Sequence, residues 1–192
     1  LLSQYGADVD KIPQFTQNMV YYPTNKIRIS VNKENVLKSG TVSLKDKDLI
    51  VEYIDIDLPK SGLYKNQMMM LDILANNDWK RPIYFTGGSY SDSEYIWMKD
   101  YLQLDGLVYK LVPIKTKISK ENPYELGRID SESMYNIVKG WEWGNAQSPD
   151  IYHDPETRKN SISFRGNLHR LAEKLIEDGE YEKSEKILDL SL

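Results

Sequence analysis

The sequence contains no cysteine among its 192 residues. This absence excludes disulfide bonds, thiolate nucleophiles and zinc sites that use sulfur ligands. Only two histidines occur, and a single histidine cannot form a standard metal site without help from carboxylates. The sequence therefore predicts no metal centre and no cofactor.

Long apolar runs and blocks of basic residues are also missing. No stretch approaches the roughly 20 apolar residues that a membrane-spanning helix requires. The net charge is −4, from 25 Lys and Arg against 29 Asp and Glu. Without a basic stripe, this balance argues against nucleic-acid binding. We also expect no direct insertion of this fragment into a membrane.

The first ten residues, LLSQYGADVD, contain neither an initiating methionine nor a secretory signal. A cut inside a longer protein would leave such a start, so we expect further sequence before Leu1. Whether more repeats follow Leu192 is left open.

Alternating and helical patterns predict an α/β fold for residues 1–118. KIRISV and VEYIDIDLP alternate as half-buried strands do, and RPIYFT and LVYKLVPIKT are predicted as further strands. GLYKNQMMMLDILANND is predicted as a helix, and its many apolar residues suggest burial against a sheet. EYIWMKDYLQL is predicted as a second helix after the capping pair Ser91 and Glu94. This order predicts a small sheet with at least one parallel strand pair and flanking helices.

Residues 119–192 are predicted as a separate helical region, because SKENPYELGRIDSES is polar and rich in turn formers. The short helix ESMYNIVKGWEW precedes the polar loop GNAQSPDIYHDPETRKNSIS. The last segment predicts a helical hairpin that turns at Gly179 and resembles one tetratricopeptide unit. One unit cannot bury its apolar face alone, so we expect it to pack on the α/β part or on further repeats.

Two short motifs suggest ligand chemistry. Gly87-Gly88 lies between a predicted strand and a predicted helix, where backbone N–H groups could bind an anion. The motif is incomplete, and an ordinary turn needs the same glycines. Asp55 and Asp57 share one strand face, as a D-x-D metal site requires. A solvent-facing pair on an amphipathic strand has the same pattern, and we favour that interpretation.

The densest group of chemically capable residues lies in the polar loop. His153, Asp154, Arg158 and Arg165 combine a base, a carboxylate and two guanidinium groups, which could bind an anionic or sugar ligand. The alternative is a loop whose side chains cap neighbouring helices.

Trp141 and Trp143 form a further candidate, because a Trp face can stack on a pyranose ring, although both could equally be core residues. Neither G-x-S-x-G nor H-E-x-x-H is present. The sequence therefore predicts no catalytic residue.

Three long segments resemble a known family: MLDILANNDWKRPIYFTGG, WMKDYLQLDGLVYKLVPIK and GNAQSPDIYHDPETRKNSISFRGNLHRLAEKLIEDG. They are similar to the C-terminal region of bacterial multi-spanning membrane proteins of the protein O-mannosyltransferase-like kind, which belong to the GT-C glycosyltransferases. The resemblance runs from about Ile27 to the end of the chain.

The resemblance implies a soluble region after the last membrane span, on the periplasmic face of the inner membrane. Members of this superfamily take sugars from lipid-phosphate donors, and their catalytic acid lies in an early extracytoplasmic loop that this chain lacks. Our first hypothesis for this region is a non-catalytic role: positioning an acceptor protein or glycan, or packing on the membrane-spanning part of the same chain. Two alternatives stay open: a purely structural or self-associating domain, and a stand-alone enzyme that uses the His153 loop.

Overall fold

The computed structural model describes residues 25–58, 63–86, 95–117, 126–146, 148 and 150–191. The strands in this part are β1 (Lys26–Ser30), β2 (Tyr53–Asp57), β3 (Tyr84–Thr86), β4 (Leu102–Asp105) and β5 (Val108–Leu111). The α-helices are α1 (Lys33–Lys38), α2 (Lys65–Asn77), α3 (Ser131–Lys139), α4 (Pro155–Glu177) and α5 (Tyr181–Ser191). Two 3-10 helices span Leu44–Leu49 and Ile96–Tyr101.

The strand pairing contradicts the predicted parallel pair. Among the described strands, β1 and β2 form one antiparallel sheet, and β3, β5 and β4 form a second antiparallel sheet in that order. A parallel pair needs a crossover of about a dozen residues or more, whereas only Gly106 and Leu107 join β4 to β5. Helix α2 makes no crossover within one sheet either, because it connects strands of different sheets.

The segment predicted as one helix through Leu104 divides into a 3-10 helix and strand β4. All four residues of β4 are buried. Besides its pairing with β5, this strand accepts and donates backbone hydrogen bonds at Arg128, with N–O distances of 2.8 and 2.9 Å, and a lone parallel bridge joins Gln103 to Arg128. Pairing on both edges overrides the local helical pattern.

The first apolar core lies between the two sheets and the helices near them. In β2, Ile54 and Ile56 are buried and the alternating residues are exposed, as the sequence predicts. The helix predicted for this segment is confirmed as α2, but its burial is limited to one face, because only Gln67 and Leu74 are buried along its length. A high apolar content did not imply a covered helix.

The second core lies between the C-terminal hairpin, α3 and β4. Helices α4 and α5 form the predicted hairpin, with Gly179 in the turn at φ +79°. Leu171 and Leu175 of α4 share this core with Met134 of α3 and Leu104 of β4. The hairpin therefore packs on the rest of the chain, which is one of the two predicted outcomes.

A pair of salt bridges joins the first 3-10 helix to the segment that precedes α3. Lys45 Nζ lies 2.6 Å from Asp130 Oδ1, and Arg128 Nη2 lies 2.6 Å from Asp46 Oδ2. Lys45 and Asp46, which are consecutive in the 3-10 helix, thus bind Asp130 and Arg128, which are two residues apart. The division into domains 1–118 and 119–192 stays a prediction.

Gly106 is a position where a side chain would disturb both the backbone and the packing. Its φ is +69°, and a Cβ there would lie 2.8 Å from Cζ2 of Trp141 and 3.3 Å from Cγ2 of Ile137. Gly40 has nearly the same φ, +70°, but in the described structure a Cβ at Gly40 would meet no atom within 4 Å.

We predict that Gly106→Ala lowers the free energy of unfolding more than Gly40→Ala does. Both variants lose about 1–2 kcal/mol through left-handed strain, and Gly106→Ala loses about a further 1–3 kcal/mol through overpacking. Urea denaturation of both variants measures the difference. Equal losses would show that Trp141 does not pack tightly on this turn.

Candidate functional site

Trp141 and Trp143 belong to an aromatic cluster completed by Phe164 of α4. The two indole centroids lie 5.5 Å apart in an edge-to-face arrangement, and the Trp141 and Phe164 centroids lie 6.1 Å apart. All three side chains are half-buried. The structure therefore brings together two predicted site residues and adds Phe164, which the sequence analysis had not singled out.

The β4–β5 turn fixes one side of this aromatic cluster. The Trp141 ring lies directly against Gly106, and the side-chain amide of Asn167 donates a 2.8 Å hydrogen bond to the Gly106 carbonyl. Trp141 therefore serves packing. Trp143, like Trp141, packs against the second core.

Asp154 is the N-cap of α4. Its Oδ1 accepts hydrogen bonds from the backbone N–H groups of Glu156 and Thr157, and its Oδ2 accepts one from the Thr157 hydroxyl at 2.7 Å. The Thr157 hydroxyl, followed by these N–H groups, holds the pKa of the Asp154 carboxyl below its ordinary value. Pro155 occupies the first helical turn, where proline is favoured. The loop interpretation that has side chains cap a helix thus describes Asp154.

The other residues predicted to bind a ligand with Asp154 do not lie in one loop, because α4 begins at Pro155 and contains Arg158 and Arg165, whereas His153 precedes it. Arg158 and Arg165 lie on the exposed surface of α4, seven residues or about 10 Å apart along the helix axis. His153 is half-buried, and among the described residues its Nε2 has no hydrogen-bond partner. Ligand binding by His153, Asp154, Arg158, Arg165, Trp141 and Trp143 stays a prediction.

The aspartates of the D-x-D motif take part in cross-strand ion pairs. Arg28 donates two hydrogen bonds to Asp55, at 2.7 and 3.0 Å, and Lys26 lies 3.3 Å from Asp57. The described residues contain no group of three or more His, Asp or Glu that could hold a metal ion. The predicted anion site at Gly87 and Gly88 lies outside the described residues.

A buried polar network on β4 and β5 escaped the sequence analysis. Lys110 Nζ lies 2.7 Å from Asp105 Oδ2, and both side chains are at most 6% exposed. The Gln103 amide donates to Asp105, and Arg128 in turn donates to Gln103 and to Asp46. Each charged side chain of the network is paired with one of opposite sign. The network therefore stabilises the contact between β4, β5 and the first 3-10 helix and presents no unpaired charge. Its signal in the sequence was polar residues inside the apolar runs YLQLDG and LVYKLV.

The cavity enclosed beside the sheets is small. It lies next to Trp79, Ile29 and Leu111 and has a volume of about 10 Å³. Such a space holds about one water molecule, so it cannot accommodate a sugar or a peptide side chain. A second, more open depression of about 170 Å³ is lined by Gly127, Ile129, Arg170, Glu173, Lys174 and Glu177.

Residues 3–133 match a family model described as TMEM260-associated domain 2. The chain belongs to the TMEM260-associated domain 2 family. That description links the domain to a TMEM260-type membrane protein. The match includes both sheets and the start of α3, and it ends before the aromatic cluster and the hairpin. No curated protein and no solved structure matches the chain.

The domain contains no candidate for a membrane span within its described residues, because none of their helices combines sufficient length with sufficient apolar character. The resemblance to protein O-mannosyltransferase-like proteins names a narrower group than the family match does. We therefore treat that narrower identity as part of the functional proposal.

The ion pair between Lys45 and Asp130 makes the contact between the first 3-10 helix and the start of α3 sensitive to acid. Burial by itself raises the pKa of Asp130, but the Lys45 ammonium and the Ser133 N–H outweigh it, and the pKa lies below its ordinary value. The Ser131 hydroxyl, with a smaller effect from a lysine of α4, likewise lowers the pKa of Asp178. A carboxyl with a lowered pKa stabilises the fold above its unfolded pKa of about 3.9, and this stabilisation is lost as the pH falls through the folded value.

We predict that Asp130→Asn lowers the free energy of unfolding at pH 7 by about 1–3 kcal/mol, the range for a hydrogen bond to a charged group. Asparagine keeps the acceptor that caps α3 at Ser133, so the variant removes mainly the charge. Below about pH 4 its stability should fall less steeply than that of the wild type, because one acid-sensitive carboxyl is gone. Urea denaturation between pH 7 and pH 2 measures both effects.

The control is Glu132→Gln. Glu132 lies 3.7 Å from Lys45 and is 71% exposed, so its loss should change stability by less than about 0.5 kcal/mol. Parallel pH profiles for the wild type and Asp130→Asn would contradict the assigned role of the buried ion pair.

Proposed function

We propose that this chain is a non-catalytic accessory domain of a membrane glycosyltransferase of the protein O-mannosyltransferase-like, GT-C type. It lies on the periplasmic side of the inner membrane and holds the acceptor protein beside the membrane-spanning part. The family description, which links the domain to a membrane protein, supports this proposal, and so does the resemblance of three long segments.

The observation that carries the non-catalytic assignment is the structural use of the candidate carboxylates. Asp154 caps α4, Asp55 binds Arg28, and Asp57 lies 3.3 Å from Lys26. A general acid or base needs an atom within reach of the substrate, and these three carboxylates are engaged in contacts within the chain. The polar groups of the described residues thus favour a role in binding over a role in chemistry.

The surface around the aromatic cluster is the proposed contact for the acceptor. Trp143 and Phe164 are half-buried, and Tyr152 and Ile162, nearby in the sequence, are 79% and 67% exposed. Aromatic side chains with a polar group suit both peptide and sugar contacts, because the ring packs while the polar atom stays in water. This segment lies outside the family match, which leaves residues 3–133 for contact with the membrane protein.

We predict that titration of the chain with acceptor peptides or short glycans changes its Trp fluorescence in a saturable way. Trp143→Ala and Tyr152→Ala should each weaken binding by about 5- to 30-fold, the effect of losing an aromatic anchor of about 1–2 kcal/mol. Tyr181→Ala is the matched control, since Tyr181 is 68% exposed on α5, and its affinity should equal that of the wild type.

Two outcomes favour the alternatives. Flat titrations with every peptide and glycan would favour a purely structural domain. A stand-alone enzyme instead predicts a purified activity that His153→Ala abolishes while circular dichroism shows an intact fold. The half-buried His153 motivates this second test, because its Nε2 has no hydrogen-bond partner among the described residues.

A further inference from the structure

Helix α2 exposes apolar side chains on the face that points away from the core. Met68, Met69 and Ile73 are 41%, 58% and 58% exposed, and Tyr64 just before the helix is 74% exposed. Gln67 and Leu74, on the opposite face, are buried. Scattered single apolar residues are normal on a surface, but here two i,i+4 pairs, Tyr64 with Met68 and Met69 with Ile73, flank the middle of the exposed face and together form one strip.

Two opposite charges lie on the same strip. Lys65 and Asp72 are exposed and seven residues apart, which places them on one side of a helix and about 10 Å apart along its axis. Met69 lies between them at the spacing i+4, so the three residues run down the middle of the exposed face. The order along the strip is thus positive, apolar, negative.

We propose that this face of α2 binds α2 of a second copy of the chain, antiparallel and about a two-fold axis between Met68 and Met69. Such an axis places residue 65 of one copy opposite residue 72 of the other. Each Lys65 ammonium then faces an Asp72 carboxylate, and Met69 of each copy packs beside the axis. The face is therefore complementary to itself, as a two-fold interface must be.

The charges of Lys65 and Asp72 favour a second copy of α2 as the partner and an antiparallel direction for the pair. A parallel pair would place Lys65 beside Lys65 and Asp72 beside Asp72, and juxtaposed like charges disfavour binding. A lipid surface is a poorer match, because interfacial helices carry Lys or Arg along their polar face, whereas the charges of Lys65 and Asp72 cancel on this strip. The proposal does not depend on acceptor binding, which involves the other end of the chain.

The size of the face sets the strength of the association. A 13-residue helix is about 20 Å long, and one helix face buries less than the roughly 800 Å² per partner of a standard interface. We expect weak dimerisation, with a Kd on the order of 100 µM. Two copies confined to one membrane would meet at a much higher effective concentration.

The test is sedimentation equilibrium of the chain at concentrations from about 10 µM to about 1 mM, a range that spans the expected Kd. Lys65→Asp and Asp72→Lys should each weaken dimerisation at least about tenfold, because each creates two like-charge contacts. The double variant carrying both changes should restore wild-type dimerisation. Met69→Asp should abolish it.

Lys186→Asp on α5 is the control for net charge, since it removes the same positive charge at an exposed site remote in sequence. It should dimerise as the wild type does. Circular dichroism of every variant checks that α2 remains folded, which its exposed positions lead us to expect.

Three results would overturn the inference. The first is a wild type that stays monomeric up to about 1 mM, well above the expected Kd. The second is a dimer that neither single charge reversal weakens, or that the double variant fails to restore. The third is co-sedimentation with vesicles of phosphatidylcholine and phosphatidylglycerol that Met69→Asp abolishes, which would assign the face to a lipid surface.

Discussion

The buried ion pair between Lys110 and Asp105 is the interaction on which the arrangement of the two cores depends. Both groups lie on β4 and β5, and Gln103 extends their hydrogen bonding to Arg128. A buried charge without its partner is strongly destabilising, so these residues fix one register of the two strands. Arg128 then reaches Asp46, which carries the same network into the first 3-10 helix.

Strand β4 takes part in both cores because of this network. Leu102 belongs to the core between the sheets, whereas Leu104, two residues later, belongs to the core of the helical hairpin. The hairpin is therefore attached to the sheets by packing as well as by the connecting chain. It is held by apolar packing on β4 and α3, by a hydrogen bond from Arg170 to the Gly127 carbonyl and by one from the Ser131 hydroxyl to Asp178. Packing of this kind fixes the orientation of the hairpin relative to the sheets.

Local patterns in the sequence were sufficient wherever one element determines its own structure. The alternation in VEYIDIDLP predicted which residues of β2 face the core, and the repeat of apolar residues around Leu168 and Leu175 predicted the hairpin. Asp154 followed by Pro155 is an equally local helix start, but residues 144–163 were predicted as a polar loop, and this prediction is wrong because α4 begins at Pro155. Each of these features depends on neighbours within a few residues.

Features that depend on distant partners were not predictable in the same way. The segment that forms β4 was predicted as a helix because the strand's partner, Arg128, lies more than twenty residues further along the chain and is not visible in the local pattern. The apolar content of α2 did not show that one of its faces would stay uncovered. The sheets are antiparallel because α2 leaves one sheet and enters another, and no periodicity encodes that choice. At the candidate site the sequence found both tryptophans, but it could not show that one of them packs on a turn.

The contact between Gly106 and Trp141 links two positions that are far apart in the chain. The indole ring occupies the space that a side chain at position 106 would need, so the two residues behave as a single steric unit. A smaller residue at 141 would leave room for a side chain at 106, whereas a change at 106 alone produces an overlap. A smaller residue at 141 should therefore relieve the overlap that a side chain at 106 causes, whereas the left-handed strain at φ +69° remains.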